Sequence, residues 1–219
     1  MVTNRNIEEV LRVVRREIRR WEDPVVSRIA KEKRDPFRVL IGCLLSLRTK
    51  DETTAAACRR LFSLAGAPET LARLPLRTIE KAVFPVGFYR NKTRVIRDIS
   101  KTLLRENGGA VPGTMEGLLA LKGVGRKTAN LVLTEGHGKL GICVDVHVHR
   151  ITNRWGYVRT RTPDETEQAL RAKLPKGHWK TINGILVTYG QNLCRPVSPH
   201  CSACKIAARC ARAGVSRSR

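Results

Sequence analysis

The sequence predicts an all-α fold. Apolar residues recur at spacings of three and four, residues that start and stop helices stand at the ends of those stretches, and no segment sustains an alternation of period two. The first such stretch places Ile7, Leu11, Val14, Ile18 and Trp21 on one face, with Arg15, Arg16, Arg19 and Arg20 between them, which predicts an amphipathic helix. Asp35-Pro36 supplies a cap and a first-turn proline for "FRVLIGCLLSL". Asp51 is expected to cap "ETTAAACRRLFSL", which stops at Gly66. A longer helix is expected from about Asn91 to Asn107, closed by Gly108-Gly109. "TMEGLLAL" predicts a short helix, followed by a tight turn and a second helix from about Arg126. Thr162, Pro163 and Glu165 form a capping box for "DETEQALRAKL". There is no obvious internal repeat, and no low-complexity tract precedes the final "AGVSRSR".

Composition narrows the function classes. A chain of 219 residues, 42% hydrophobic, can bury one large core or two modest ones, which excludes a disordered tail. Its 42 Lys and Arg against 19 Asp and Glu give a formal charge of +23, spread along the whole chain. Such a balance suits a polyanionic partner, the plainer alternative being a solvated basic surface of the ribosomal kind. No apolar run approaches the roughly 20 residues that a membrane span needs. The amino end, "MVTNRNIEEVLRVV", lacks a signal-peptide core, so a reducing cytoplasm is expected.

In that compartment seven cysteines are not expected to form disulfides. Cys43, Cys58 and Cys143 lie in apolar stretches and are expected to be small core residues. The other four, Cys194, Cys201, Cys204 and Cys210, crowd into "CRPVSPHCSACKIAARC" with spacing C-x6-C-x2-C-x5-C. Four soft ligands in one loop imply a metal. Structural zinc commonly uses two C-x2-C knuckles and only one exists here, so the spacing favours an iron–sulfur cluster while leaving zinc open.

The stretch "LKGVGRKTANLVL", residues 121–133, looks like a phosphate grip. A P-loop needs Gly directly before Lys-Ser/Thr, where Arg126 stands; a dinucleotide fingerprint needs a third Gly or Ala, where Thr128 stands, and a preceding strand. What remains is a helix, a hairpin carrying Gly123 and Gly125, and a second helix. Glycines permit unusual backbone conformations and leave amides unshielded, so a DNA phosphate can sit at the positive end of the second helix. The alternative is a plain interhelical turn. Lys127 stands in the first turn beside Arg126, where the helix dipole and a neighbouring cation both disfavour a further positive charge, a setting that suits a nucleophile. Its plainer role is one more phosphate contact. In "CVDVHVHRITNRWG", Asp145 is placed to cap the helix carrying His147, His149 and Arg150. A fixed carboxylate also stabilises the positive charge that develops on a sugar as its base departs, and a neutral lysine can attack the same carbon.

Together, "LKGVGRKTANLVL", "VDVH" and the four-cysteine loop resemble the endonuclease III family of helix-hairpin-helix DNA glycosylases, over about residues 28 to 212. The resemblance implies a two-lobed all-α fold. A six-helix barrel with the hairpin would span 29–139; an iron–sulfur domain would join 1–28 to 140–219, with 213–219 as a flexible tail. It implies a monomer acting on double-stranded DNA that carries a damaged pyrimidine or an abasic site, within the cytoplasm and nucleoid. By the same resemblance Lys127 is the Schiff-base nucleophile, Asp145 the catalytic carboxylate, and Cys194, Cys201, Cys204 and Cys210 the ligands of a [4Fe-4S] cluster. Gly123, Val124, Gly125 and Arg126 would hold DNA. Arg48 in "LLSLRTKD" and Phe88 in "PVGFYRNK" would fill the gap left by an extruded nucleotide. The implied activity is removal of oxidised pyrimidines followed by strand nicking through β-elimination. Three positions depart from the family pattern: Arg48 replaces a usual glutamine, Phe88 a usual leucine, and Lys122 a common proline. A mismatch-type glycosylase with weak lyase activity normally lacks the lysine at 127; a non-catalytic iron–sulfur DNA-binding protein would need neither Lys127 nor Asp145.

Overall fold

The computed structural model describes residues 1–219 and contains no β-strand. Its α-helices in chain order are α1 Ile7–Ile18, α2 Val25–Glu32, α3 Pro36–Ser46, α4 Asp51–Leu64, α5 Pro68–Arg73, α6 Leu76–Val83, α7 Tyr89–Asn107, α8 Met115–Leu119, α9 Arg126–Leu131, α10 Val146–Arg154, α11 Pro163–Lys173 and α12 Ile182–Asn192. A π-helical turn, Val132–Gly136, continues α9. The chain divides into two compact units, Val25–Gly141 and Met1–Pro24 with Ile142–Arg219.

The Val25–Gly141 unit is built around α3. Apolar on all sides from Val39 to Leu45, it buries Phe37, Val39, Leu40, Ile41, Cys43, Leu44 and Leu45, and it packs against α2, α4, α7, α9 and the π turn. Asp35 starts it as expected, its Oδ1 accepting from Phe37 N at 2.9 Å and Arg38 N at 3.3 Å with Pro36 in the first turn. Asp51 does not cap α4. It is that helix's first residue, and its Oδ2 accepts instead from Val25 N at 3.2 Å, tying α4 to the start of α2. The reason is local: Lys50 takes the extended conformation a cap requires, so the carboxylate one position later is released for a distant amide. The helix expected from Asn91 begins two residues earlier, at Tyr89, and ends on Gly108 with φ 57°.

The other unit has its own core of Leu11, Val14, Ile151, Trp155, Tyr157, Leu170, Leu186 and Tyr189. Within it α1 and α10 pack on α12, and α11 packs on α10. The amino terminus is fastened by Val2 N to Trp155 O at 3.1 Å and by the Tyr157 hydroxyl donating to Asn4 Oδ1 at 2.9 Å. Thr162 caps α11 from Glu165 N at 3.2 Å, but Glu165 reaches back to Arg161 N at 2.8 Å, one residue beyond the usual box partner. Residues 213–219, expected as a flexible tail, are hydrogen-bonded into this unit. Ala213 N donates to Arg154 O at 3.2 Å, Arg219 N to Pro199 O at 2.9 Å, and Ser202 N to Arg219 O at 2.9 Å.

Leu40 is 0% exposed at the centre of α3. Leu40→Ala is expected to destabilise the protein by about 2–5 kcal/mol, read as a lowered denaturant midpoint at unchanged slope.

Candidate functional site

The hairpin lies in the Val25–Gly141 unit. Thr114 caps α8, its Oγ1 accepting from Gly117 N at 3.1 Å, and the chain then turns through residues 120–125 into α9. The two glycines are not equivalent. Gly123 has φ +92° and a Cβ there would stand 2.9 Å from Val95 Cγ1, whereas Gly125 has an ordinary φ of −96° and open space where a Cβ would go. Only the first needs glycine's conformational freedom; the second leaves bare backbone at the start of α9, where no side chain caps the helix. Val124 is buried, 7% exposed. Arg126 is half-buried and Lys127 is exposed in the first turn of α9. α9 packs against α3, and burial pushes the Cys43 thiol of α3 up to about 12, with Lys127 pulling it down and Glu135 pushing it up. The Lys127 charge therefore stands within electrostatic reach of the middle of α3.

The loops after α3 and before α7 meet. Arg48 and Phe88 both adopt left-handed backbone, φ 52° and 57°, and the Arg48 guanidinium lies 5.8 Å from the centre of the Phe88 ring. Both side chains are exposed, Phe88 at 65%. Non-glycine residues in this region store strain, and a bulky aromatic there is a marked outlier. Lys92, in the first turn of α7, is buried beneath this pair, and its ammonium donates to Leu45 O at 2.8 Å, to Leu47 O and to Thr49 Oγ1 at 3.2 Å. Burial pulls the Lys92 amine down to about 8, while three oxygen acceptors favour its charged form.

Asp145 belongs to the other unit and is 7% exposed. It caps α10 through Oδ1, which accepts from His147 N and Val148 N, each at 2.9 Å. Arg150, one turn on, donates to Gly190 O at 3.2 Å and Cys194 O at 2.9 Å and contacts His147 Nδ1 at 3.0 Å, locking α10 onto α12. The capping role read from the sequence is thus present, and the carboxylate is held rigidly by its own helix.

Cys194, Cys201, Cys204 and Cys210 line one cavity with Tyr189, Leu193, Arg154 and Trp155. Donors point at the sulfurs. The Tyr189 hydroxyl lies 3.0 Å from Cys204 Sγ, Arg154 Nη1 3.5 Å from Cys194 Sγ, and Arg212 N 3.4 Å from Cys210 Sγ. Arg154 is 7% exposed and also donates to Arg195 O and Pro196 O, each at 2.6 Å. Burial pushes the Cys194 thiol up, and the Arg154 guanidinium pulls against it toward the thiolate. The four thiols line this cavity without being drawn together: no group of three or more Cys, His, Asp or Glu side chains is placed to hold a metal ion. Cys43, Cys58 and Cys143 are buried in the packing as expected.

Over residues 41–176 the chain matches the family described as HhH-GPD superfamily base excision DNA repair protein. Endonuclease III of Thermotoga maritima is 47% identical over 176 residues, covering 80% of this chain and 83% of that protein. The chain belongs to the endonuclease III family. A solved structure of a trapped endonuclease III–DNA covalent intermediate, in an estranged-adenine complex, superposes with a TM-score of 0.83 at 31% identity over 96% of each chain. A thermostable thymine-DNA glycosylase, 22% identical and covering 86% of this chain and 93% of its own, shares the fold with a TM-score of 0.73.

Two residues of this endonuclease III relative escaped the sequence reading. Lys92 stands on the buried stripe of α7 with Ile96, Ile99 and Leu103, and a lysine at an apolar-stripe position is the signal that could have found it. Arg154 carried no comparable signal among 42 basic residues.

Gly125→Ala is expected to fold as the wild type does while weakening duplex binding, because it shields amides without straining the chain. Gly123→Ala is expected to lower the melting temperature as well, by several degrees for about 1–2 kcal/mol of strain. Thermal melting beside a duplex-binding titration separates the two.

Proposed function

We propose that this chain is a bifunctional DNA glycosylase and abasic-site lyase that removes oxidised pyrimidines from duplex DNA and nicks the strand by β-elimination. The observation that carries the reading is an exposed lysine, Lys127, in the first turn behind the Gly123 hairpin, in a chain that superposes closely on a covalently trapped endonuclease III–DNA complex. A covalent adduct requires a nucleophile, and an amine at a helix start lined with bare backbone lies where a DNA phosphate would also be held.

Base removal begins with extrusion of the damaged nucleotide, because its sugar carbon is out of reach in the stack. Arg48 and Phe88 fill the vacated space. The glycosidic C1′–N bond breaks and the base leaves with the bonding pair; the Asp145 carboxylate stabilises the positive charge on the sugar, and the Lys127 nitrogen bonds to C1′. The ring opens to an imine, the 2′ proton is lost, and the 3′ phosphate departs as the electron pair forms the C2′–C3′ double bond. Hydrolysis of the imine frees Lys127. Rigid capping of α10 supports the carboxylate's part, since a charge that need not reorganise stabilises a developing cation best.

The four cysteines would hold a [4Fe-4S] cluster. The donor chemistry supports this: four thiols line one cavity, and Arg154, the Tyr189 hydroxyl and the Arg212 amide lie at hydrogen-bond distance from three of the sulfurs. When bound, the cluster ties the loop 194–210 together. A mismatch-type glycosylase is disfavoured by the lysine at 127.

Borohydride is expected to trap the wild-type chain on abasic duplex DNA, and Lys127→Ala to abolish the adduct. Failure of the wild type to trap would reject the lyase reading. Asp145→Asn is expected to slow single-turnover base removal by about 10²-fold or more while duplex binding persists. Anaerobically purified protein should carry about four iron and four sulfide per chain, and Cys201→Ala should lose them; one tightly held zinc instead would refute the cluster. Affinity for undamaged duplex should fall steeply between low and physiological salt, with a log–log slope near −0.9 per phosphate contacted.

A further inference from the structure

Lys92 is a buried charge to which base removal gives no chemical role. Its three N–H donors meet three oxygens: Leu45 O near the end of α3, Leu47 O just beyond it, and Thr49 Oγ1. Thr49 Oγ1 also accepts from Gly87 N at 3.2 Å and donates to Leu47 O at 3.2 Å, so one hydroxyl joins both loops. At Gly87 the backbones touch closely enough that a Cβ would stand 2.7 Å from Arg48 O. The residues adjoining this knot, Arg48 and Phe88, are the exposed left-handed pair. Left-handed backbone at a non-glycine residue persists only where the surroundings hold it, and here the surroundings converge on one ammonium group.

We infer that Lys92 is a positioning residue that fastens the Arg48 loop and the Phe88 loop to each other and to the end of α3, so that both side chains enter the duplex as one unit. The inference rests on the gap-filling reading of Arg48 and Phe88 given above. Lys92 itself does not form the imine, since its amine is saturated with acceptors and the residue is 8% exposed. Its contribution is to hold two loops that would otherwise relax from strained backbone. Releasing them leaves Lys127 chemistry intact but lets the extruded nucleotide return to the stack.

The test is Lys92→Met in the full cluster-bearing chain. Methionine keeps the length and apolar stem and loses all three hydrogen bonds. Single-turnover nicking is measured at an abasic site in a duplex and in a single strand of the same sequence, which has no stacked partner strand to fill. Misplacing the wedge is expected to lower the ratio of duplex to single-strand rate about tenfold or more. The fluorescence rise of a 2-aminopurine placed beside the abasic site in the duplex should shrink with it. Thr49→Val, which removes the hydroxyl shared by both loops, should move both readouts the same way to a smaller extent and covers the case in which the lysine variant does not fold. Borohydride trapping of Lys92→Met on single-stranded abasic DNA should persist, whereas Lys127→Ala abolishes it. An unchanged ratio and fluorescence rise in both variants would overturn the positioning role while leaving the lyase reading standing. A wild type that nicks neither substrate would remove the parent reading and this one with it.

Discussion

Burial of α3 is the constraint on which the Val25–Gly141 unit depends. A helix apolar on every face over about two turns, as α3 is from Val39 to Leu45, can be stable only when other elements enclose it, and α2, α4, α7, α9 and the π turn do so. Enclosure creates a second requirement, since the last carbonyls of a buried helix end need donors. Ser46 Oγ donates to Cys43 O at 2.8 Å, Thr49 N to Ser46 O at 3.1 Å, and Lys92 Nζ to Leu45 O at 2.8 Å. The same helix supports the loop of Arg48 at its end and the helix of Lys127 on its flank. The exposed Arg48 loop is thus set by polar accounting at the rim of an apolar core.

The two residues proposed for base removal are held in opposite ways. Lys127 is exposed on a helix start whose backbone is left bare by glycine. Asp145 is buried and bonded to two amides of the helix it begins, so that the cap and the charge are one group. A proposed nucleophile has to reach the substrate carbon, which an exposed side chain on a packed helix allows. An electrostatic stabiliser acts best when it does not move. The cysteine centre follows a third logic, in which Arg154 spans from Cys194 Sγ to the carbonyls of Arg195 and Pro196 and orients the loop around the sulfurs.

Much of this was legible in the chain because it is local. Helical periodicity, the Asp35-Pro36 start, the Gly108 stop and the Thr162 cap are decided within a few residues, and the all-α class follows from them. The hairpin, the Lys127 and Asp145 motifs and the cysteine spacing are short enough to read as strings, and through them the family is accessible. Asp51 shows where local reading fails. A carboxylate beside a helix start is drawn either to its own helix or to a distant amide, and only the packing of α2 against α4 selects Val25 N.

By itself the sequence determined the class of fold, the family and the residue types available for chemistry, because periodicity, capping and ligand spacing are properties of neighbouring residues. Tertiary structure alone decided that Lys92 serves as a donor beneath two loops, that Arg48 and Phe88 form a strained pair, that Arg154 among so many arginines faces sulfur, and that the last residues bond back to the cysteine loop. Each of these joins groups far apart along the chain. Which distant acceptor meets a given donor is set by the enclosure of the core, and no local pattern carries that information.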